Sequence, residues 1–97
     1  MAQVFVTPRA QRDVEELISA LSLPADTWAR IAGSLRPLET FPLSGPELRG
    51  RWAPIRFVPG PRPSMIVLYR YDETDDRVGV VAVHDGRSAA SPTAAGE

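Results

Sequence analysis

The residues that most constrain the fold are 65–71, MIVLYRY, a nearly continuous apolar run between a proline-rich segment and the acidic turn DETDD at 72–76. A short run of branched and aromatic residues between turn signals predicts a strand, and continuous apolarity is typical of a strand buried on both faces. A second such run, residues 77–84, follows directly after the acidic turn. The two segments most simply form an antiparallel hairpin.

The N-terminal part of the chain predicts a strand followed by a helix. Residues 3–7, QVFVT, are branched and aromatic, which favours a first strand. Thr7 and Pro8 suit the cap and the first position of a helix. Apolar residues then recur at helical spacing: Ala10, Val14, Leu17, Ile18 and Leu21. The charged residues of this segment are interpreted as its solvated face: Arg9, Arg12, Asp13, Glu15 and Glu16.

A second helix is predicted over residues 25–36. A break at 22–24, SLP, separates it from the first helix. Pro37 ends or kinks it, because proline cannot donate to the hydrogen-bond ladder. A further turn is expected over 38–41. The two helices together form a hairpin whose apolar stripes need a sheet to cover.

Residues 42–51 are rich in turn formers and predict a long loop. The segment 53–58 predicts the second strand, with Ile55 and Phe57 on one face and Arg56 on the other. The order of elements is then strand, helix, helix and three strands. It predicts an α+β fold in which a curved, mostly antiparallel sheet of about four strands carries the N-terminal helical hairpin on one face.

Length and composition predict one domain over residues 1–87 of the 97, with 43% apolar residues. Residues 88–97, SAASPTAAGE, lack bulky apolar side chains and are expected to be disordered or frayed. The absence of cysteine excludes disulfides and thiolate metal sites, and it fits a reducing cytoplasm. Neither a signal peptide nor a membrane-spanning helix is expected, since no apolar run approaches the required length of about 20 residues.

Charge is distributed unevenly along the chain. Residues 48–71 hold five arginines and no acid, whereas residues 1–47 carry a net charge of −2 and residues 72–97 one of −4. A positive island in an acidic protein predicts an anionic partner, either nucleic acid or an acidic protein segment. Two alternatives stay open: the all-arginine set of cations could reflect codon bias, and the arginines could pair with the chain's own twelve acids.

The positive island supplies the residues expected to bind such a partner: Arg49, Arg51, Trp52, Arg62 and Arg70. Three prolines around Arg62 restrict the backbone, so this side chain is expected to project from a stiff turn. Trp52 is interpreted either as core or as an exposed anchor. Tyr69 and Tyr71 share one strand face by alternation and are expected to pack in a core or groove.

Five segments, taken in order, resemble the RelE/ParE superfamily, the toxins of bacterial type II toxin–antitoxin pairs. They are VTPRAQRDVEEL at 6–17, LETFPLSG at 38–45, IRFV at 55–58, SMIVLYRY at 64–71 and VHDGR at 83–87. Each segment is weak alone, but the five together, at this spacing and on these elements, are fairly specific. The ending VHDGR and the third-strand pattern are more similar to the ParE branch. The fold that the resemblance implies is the one predicted from the residue pattern.

The resemblance implies two alternative mechanisms. RelE-like members cut mRNA on the ribosome without a metal, and ParE-like members poison DNA gyrase. For the first mechanism, Arg56 matches the second-strand arginine and Arg87 the last-strand arginine, with His84 as acid or base or, alternatively, as a structural group. The RelE-type arginine before the third-strand apolar run is absent, since Ser64 and Met65 lie there. The tyrosine that follows the last-strand arginine is absent as well.

Three functions remain: a ParE-like toxin that binds gyrase, a metal-independent mRNA endonuclease, and a non-toxic member kept as a binding module. The net charge of −1 favours a protein target over a large RNA footprint. The resemblance also implies a cytoplasmic location and a hetero-oligomer with a cognate antitoxin, whose C-terminal segment wraps the toxin as a helix or an added strand. This segment is expected to cover the island from Arg49 to Arg70 and the exposed apolar groups around Trp52. It implies no metal, organic cofactor or membrane.

Overall fold

The chain forms a helical layer on a four-stranded sheet, and the computed structural model describes it over residues 1–86. The predicted tail at 88–97 and Arg87 therefore lie outside the described residues. The elements are β1 (Gln3–Val6), α1 (Pro8–Leu21), α2 (Thr27–Leu35), α3 (Pro37–Thr40), β2 (Arg56–Pro59), β3 (Met65–Asp72) and β4 (Arg77–Asp85). The predicted α+β fold is confirmed. Within residues 1–86, no helix has the length and apolarity needed to cross a bilayer.

The sheet has the strand order β1-β4-β3-β2. The pairs β2–β3 and β3–β4 are antiparallel, as the short connections predict, whereas β1 lies parallel to β4. The parallel pair follows from the connections along the chain. The helical crossover carries the chain from β1 to β2 in the same direction, and the two antiparallel pairs that follow give β4 that direction again beside β1. The mostly antiparallel sheet thus has one parallel edge.

Thr7 joins the end of β1, the start of α1 and the middle of β4. Its backbone N–H and its hydroxyl both donate to the Val80 carbonyl, at 3.0 and 2.7 Å. Its hydroxyl oxygen accepts from the Ala10 N–H at 3.3 Å, which makes it the N-cap that the sequence predicts. This anchor directs α1 across β4, where Ala10 and Val14 are completely buried.

Asp13 departs from the predicted solvated face of α1. Its carboxylate accepts a hydrogen bond of 3.0 Å from the Val83 N–H of β4. Since β1 pairs with β4 only as far as Val80, the Val83 amide lies beyond the end of β1 and needs another acceptor. The interpretation of Asp13 as a solvated charge is therefore wrong, whereas Glu15 and Glu16 are exposed as predicted.

Both faces of β3 are buried, as predicted for a central strand. Val67 and Tyr69 pack among the helices in the main core, on what we call the helical face. Ile66 and Leu68 point to the opposite face and form a smaller cluster with Leu48, Trp52, Ile55 and Phe57. The helices thus cover one side of the sheet, and the segment before β2 covers part of the other.

The second strand begins later than predicted, at Arg56 instead of residue 53. The preceding residues form a 3₁₀ turn, Gly50–Trp52, after which the Ile55 N–H donates to the Trp52 carbonyl at 2.9 Å. This turn brings Trp52 onto the smaller cluster. The predicted orientation of the strand is confirmed, because Phe57 faces this cluster and Arg56 faces the other way, opposite Tyr69.

The outer edge of β2 is paired with the loop before it. Glu47 forms a bridge with Arg56, flanked by hydrogen bonds from Leu48 N–H to Ile55 and from Phe57 N–H to Pro46. Gly45, just before this bridge, is buried. A Cβ there would overlap the Phe57 carbonyl oxygen and lie 2.8 Å from the Tyr69 hydroxyl oxygen, so only glycine lets the loop approach the sheet.

Gly45→Ala is expected to lower the free energy of unfolding by about 1–3 kcal/mol, because the loop must move away from β2 to admit the methyl group. Gly33→Ala is the matched control. Gly33 lies in α2 with nothing within 4 Å of its would-be Cβ, so alanine should stabilise the protein by about 1 kcal/mol. Urea denaturation followed by circular dichroism measures both; equal shifts in the two variants would contradict the assignment.

Candidate functional site

The side of the sheet opposite the helices is only partly covered. The turn Gly50–Trp52 and its neighbours pack over the β2–β3 half, and the β1–β4 half stays open. A shallow cavity of about 460 Å³ lies there, lined by Phe5, Thr7, Arg70, Tyr71, Asp72, Glu73, Arg77, Gly79 and Val81. We call Arg51, Trp52, Arg70, Arg77 and Phe5, the cationic and aromatic groups on this side, the arginine face.

An aromatic ring and a guanidinium group stack at the open end of the arginine face. Phe5 pairs with Gly79, and its ring lies directly over that glycine, since a Cβ on Gly79 would be 2.8 Å from the ring. The Arg77 guanidinium carbon lies 4.6 Å from the ring centroid, in range of a cation–π interaction. Phe5 nevertheless remains 40% exposed, so the ring is available to a ligand.

Arg70 lies next to the Phe5–Arg77 pair, on the neighbouring strand β3. It lies opposite Gly79 on β4, and Arg77 is two residues from Gly79 on the same face. Diagonal neighbours in an antiparallel pair are about 7–8 Å apart, so the two guanidinium groups can act on one ligand. Both side chains are exposed.

The carboxylates nearest these arginines do not pair with them. Within residues 1–86 the structure forms one ion pair, Arg30 with Asp26 on α2 at 2.9 Å. Asp72 lies opposite Arg77 in the β3–β4 ladder, but its carboxylate accepts from the N–H groups of Thr74 and Asp75. The Asp72 carboxylate is therefore bound by backbone groups of the turn, and Arg77 stays available to a ligand.

A second aromatic–arginine pair lies in the 3₁₀ turn. The Arg51 guanidinium carbon is 5.4 Å from the Trp52 ring centroid, and Arg51 is exposed while Trp52 is half-buried. Arg49, directly before this turn, and Arg62, in the turn between β2 and β3, are exposed too. Four of the five arginines of the positive island thus face solvent.

Arg56 is different, because it lies on the helical face and holds the loop before β2. Its Nη1 donates to the Gly45 carbonyl at 2.7 Å and to the Leu43 carbonyl at 3.3 Å. The Tyr69 hydroxyl accepts from the Gly45 N–H at 3.0 Å. Burial raises the pKa of Tyr69, while the hydrogen bond from Gly45 and the charge of Arg56 partly offset the rise. We call Arg56, Tyr69 and Gly45 the loop latch.

His84 lies on the other side of the sheet from Arg56. It pairs with Ile66, whose side chain belongs to the smaller cluster opposite the helices. Its Nε2 is buried and has no hydrogen-bond partner within the described part of the chain. The structure therefore does not bring together Arg56 and His84, two of the three residues predicted for RNA cleavage, and Arg87 lies outside the described residues.

A family model for the ParE toxin of the type II toxin–antitoxin system parDE matches residues 4–90. The chain belongs to the ParE toxin family. None of the curated proteins matches it.

Two solved toxin structures share the fold of this chain. A chain of the toxin–antitoxin complex RelBE2 from Mycobacterium tuberculosis is 26% identical, with a TM-score of 0.68 over 87% of this chain and 96% of that one. A copper-bound mutant toxin from Helicobacter pylori is 20% identical, with a TM-score of 0.66 over 88% and 94% of the two chains. The second likeness shows the fold alone.

The arginine face of this ParE-family chain includes two residues, Phe5 and Arg77, that were not predicted from the sequence. Phe5 and Arg77 lie in segments predicted correctly as strands, but their contact depends on the parallel pairing of β1 with β4, which was not predicted. The available signal was Gly79, an isolated glycine within a strand, which often marks a close approach. Within residues 1–86, no three His, Asp or Glu side chains are grouped closely enough to hold a metal ion.

The loop latch gives stability a dependence on alkaline pH. Because the pKa of Tyr69 is raised above its ordinary value of 10.0, the unfolded chain ionises first, and the free energy of unfolding should fall as the pH rises above about 10. Tyr69→Phe removes this titration. It should cost about 1 kcal/mol at pH 8 through the lost hydrogen bond, and its deficit should shrink towards pH 11. A deficit that is constant with pH, in urea denaturation, would exclude this role of Tyr69.

Proposed function

We propose that this ParE-family toxin inhibits growth by binding DNA gyrase through the arginine face. The observation that carries the proposal is a set of exposed cations, Arg51, Arg70 and Arg77, two of which are stacked on aromatic rings and none of which is paired with a carboxylate within residues 1–86. Rigid aromatic and arginine side chains are the groups that dominate protein–protein binding energy.

A binding mechanism is favoured over RNA cleavage by the orientation of the predicted catalytic groups. Cleavage by the 2′-hydroxyl needs an acid, a base and cations around one phosphate. Arg56 hydrogen-bonds to two loop carbonyls on the helical face, while His84 lies on the opposite side of the sheet. A protein target needs no such constellation, only a surface of suitable charge and shape.

We propose further that a cognate antitoxin neutralises the toxin in the cytoplasm, by covering the arginine face with an acidic segment. A second element of this antitoxin can add as a strand to β1. The Thr7 amide donates to Val80 of β4 and the Gln3 amide to Asp76, just before β4, whereas the Ala2 amide donates the other way, to Glu39. By alternation, the amides of Val4 and Val6 point away from β4, and no partner for them lies within residues 1–86.

The purified toxin is expected to block supercoiling by DNA gyrase at micromolar concentration. Arg70→Ala combined with Arg77→Ala should weaken the inhibition by about tenfold or more, because both guanidinium groups leave the same face. Arg9→Ala combined with Arg12→Ala removes the same charge from the exposed side of α1 and should leave the inhibition unchanged.

The same preparation is tested for cleavage of mRNA in the ribosomal A site. Intact transcripts are expected. Cleavage without any effect on gyrase would replace the proposal by the endonuclease alternative, and harmless overexpression would favour a non-toxic binding module.

Hydrogen exchange tests the added strand. In the free toxin the Val4 and Val6 amides should exchange quickly, and in the complex with the product of the neighbouring reading frame they should be strongly protected. The Phe5 amide is the internal reference, since it points to β4 and should be protected in both states. A complex that leaves Val4 and Val6 exchanging freely would rule out strand addition at this edge.

A further inference from the structure

An apolar corner projects from the loop between α3 and β2. Phe41 is 65% exposed and Leu43 is 51% exposed, the two most exposed large apolar side chains after Met1 among the described residues. They lie beside a cavity of about 670 Å³, lined by Thr40, Phe41, Pro42, Leu43, Ser44, Tyr71 and Glu73. We call this set the apolar corner. Adjacent exposed apolar groups with a polar rim are typical of interaction sites.

The fold holds the apolar corner in place. The loop latch fixes the chain after Pro42, because Arg56 donates to the Leu43 and Gly45 carbonyls and the Tyr69 hydroxyl accepts from the Gly45 N–H. On the other side, the Phe41 N–H donates to the Pro37 carbonyl of α3 at 2.8 Å. A surface that is rigid before binding loses little conformational entropy when a partner docks.

The apolar corner exposes side chains but few backbone N–H and C=O groups that could still form hydrogen bonds. The N–H groups of Phe41, Ser44 and Gly45 all donate within the protein, and the Leu43 and Gly45 carbonyls accept from Arg56. An added strand would need unpaired backbone groups, as at β1. An amphipathic helix docks through side chains alone, so it fits this surface.

The negative charge beside the apolar corner favours a partner segment with positive charge. Glu73 lines the cavity and is exposed, and Asp76 accepts a hydrogen bond of 2.7 Å from the Tyr71 hydroxyl at its rim. A helix that carries Lys or Arg next to its apolar stripe is complementary to this rim, and an acidic helix is repelled.

We propose that the apolar corner binds an amphipathic helix of the antitoxin, with apolar side chains against Phe41 and Leu43 and a basic side chain towards Glu73. This inference rests on the proposed toxin–antitoxin function and adds to it a second contact of opposite charge. The antitoxin thus presents acidic groups to the arginine face and a basic, apolar helix to the corner.

The test compares variants of the full-length chain for binding to the product of the neighbouring reading frame by calorimetry. Phe41→Ser combined with Leu43→Ser should weaken binding by about 30-fold or more, and Glu73→Lys by about tenfold. Leu21→Ser and Glu15→Lys change an exposed apolar and an exposed acidic residue of α1 and should leave the affinity unchanged. Unaltered circular dichroism and thermal unfolding show that the variants fold.

Growth assays separate this inference from the proposed target. The Phe41/Leu43 double variant should inhibit growth as the wild type does, but co-expressed antitoxin should no longer rescue the cells. If the wild type is harmless yet binding still depends on Phe41 and Leu43, the proposed target fails and the inference stands. Unchanged affinity of the double variant overturns the inference. The inference is also overturned if the double substitution changes the oligomeric state of the toxin in the absence of the antitoxin, because the corner would then be a contact between two copies of the chain.

Discussion

The structure depends on β3 being buried on both faces. A strand with Val67 and Tyr69 on one side and Leu68 on the other needs two apolar layers, and a chain of this length has helices for only one. The turn Gly50–Trp52 and its neighbours provide the second layer, but they are short and reach only the β2–β3 half. Phe5 and Arg77 of the arginine face lie on the uncovered half, whereas Arg51 and Trp52 lie on the covering turn itself. The proposed binding surface therefore follows from the limited length of the covering segment.

The positive island of the sequence is divided between two roles in the fold. Arg56 lies on the helical face of the sheet and fixes the loop before β2, whereas Arg51 and Arg70 face solvent on the opposite side. Arg77, which belongs to the acidic C-terminal part of the sequence, joins them through its contact with Phe5. The arginines that are clustered along the chain are therefore only partly those that are clustered in space, because alternation sends neighbouring strand residues to opposite faces.

Local patterns predicted most of the fold. The cap at Thr7, the break before α2, and β3 and β4 follow from propensity and periodicity, which act over a few residues. The parallel pairing of β1, the carboxylate of Asp13 on β4 and the late start of β2 depend on contacts between distant segments. Of the candidate site, the exposed Arg51 and Arg70 were predicted by residue type, whereas Arg77 was not, since its contact with Phe5 depends on the pairing of β1 with β4. The role of Arg56 in the loop latch required the position of Gly45.

The two proposed surfaces adjoin at the β3–β4 turn, since Tyr71 and Glu73 line both cavities. In the proposed complex, an antitoxin helix on the apolar corner would lie at the border of the arginine face, and the acidic segment linked to it would be held there at high effective concentration. Two weak contacts of opposite charge can in this way exclude a target that uses the arginine face alone. The opposite charges also fix the orientation of the partner, because a reversed segment would bring acid to Glu73 and base to Arg70.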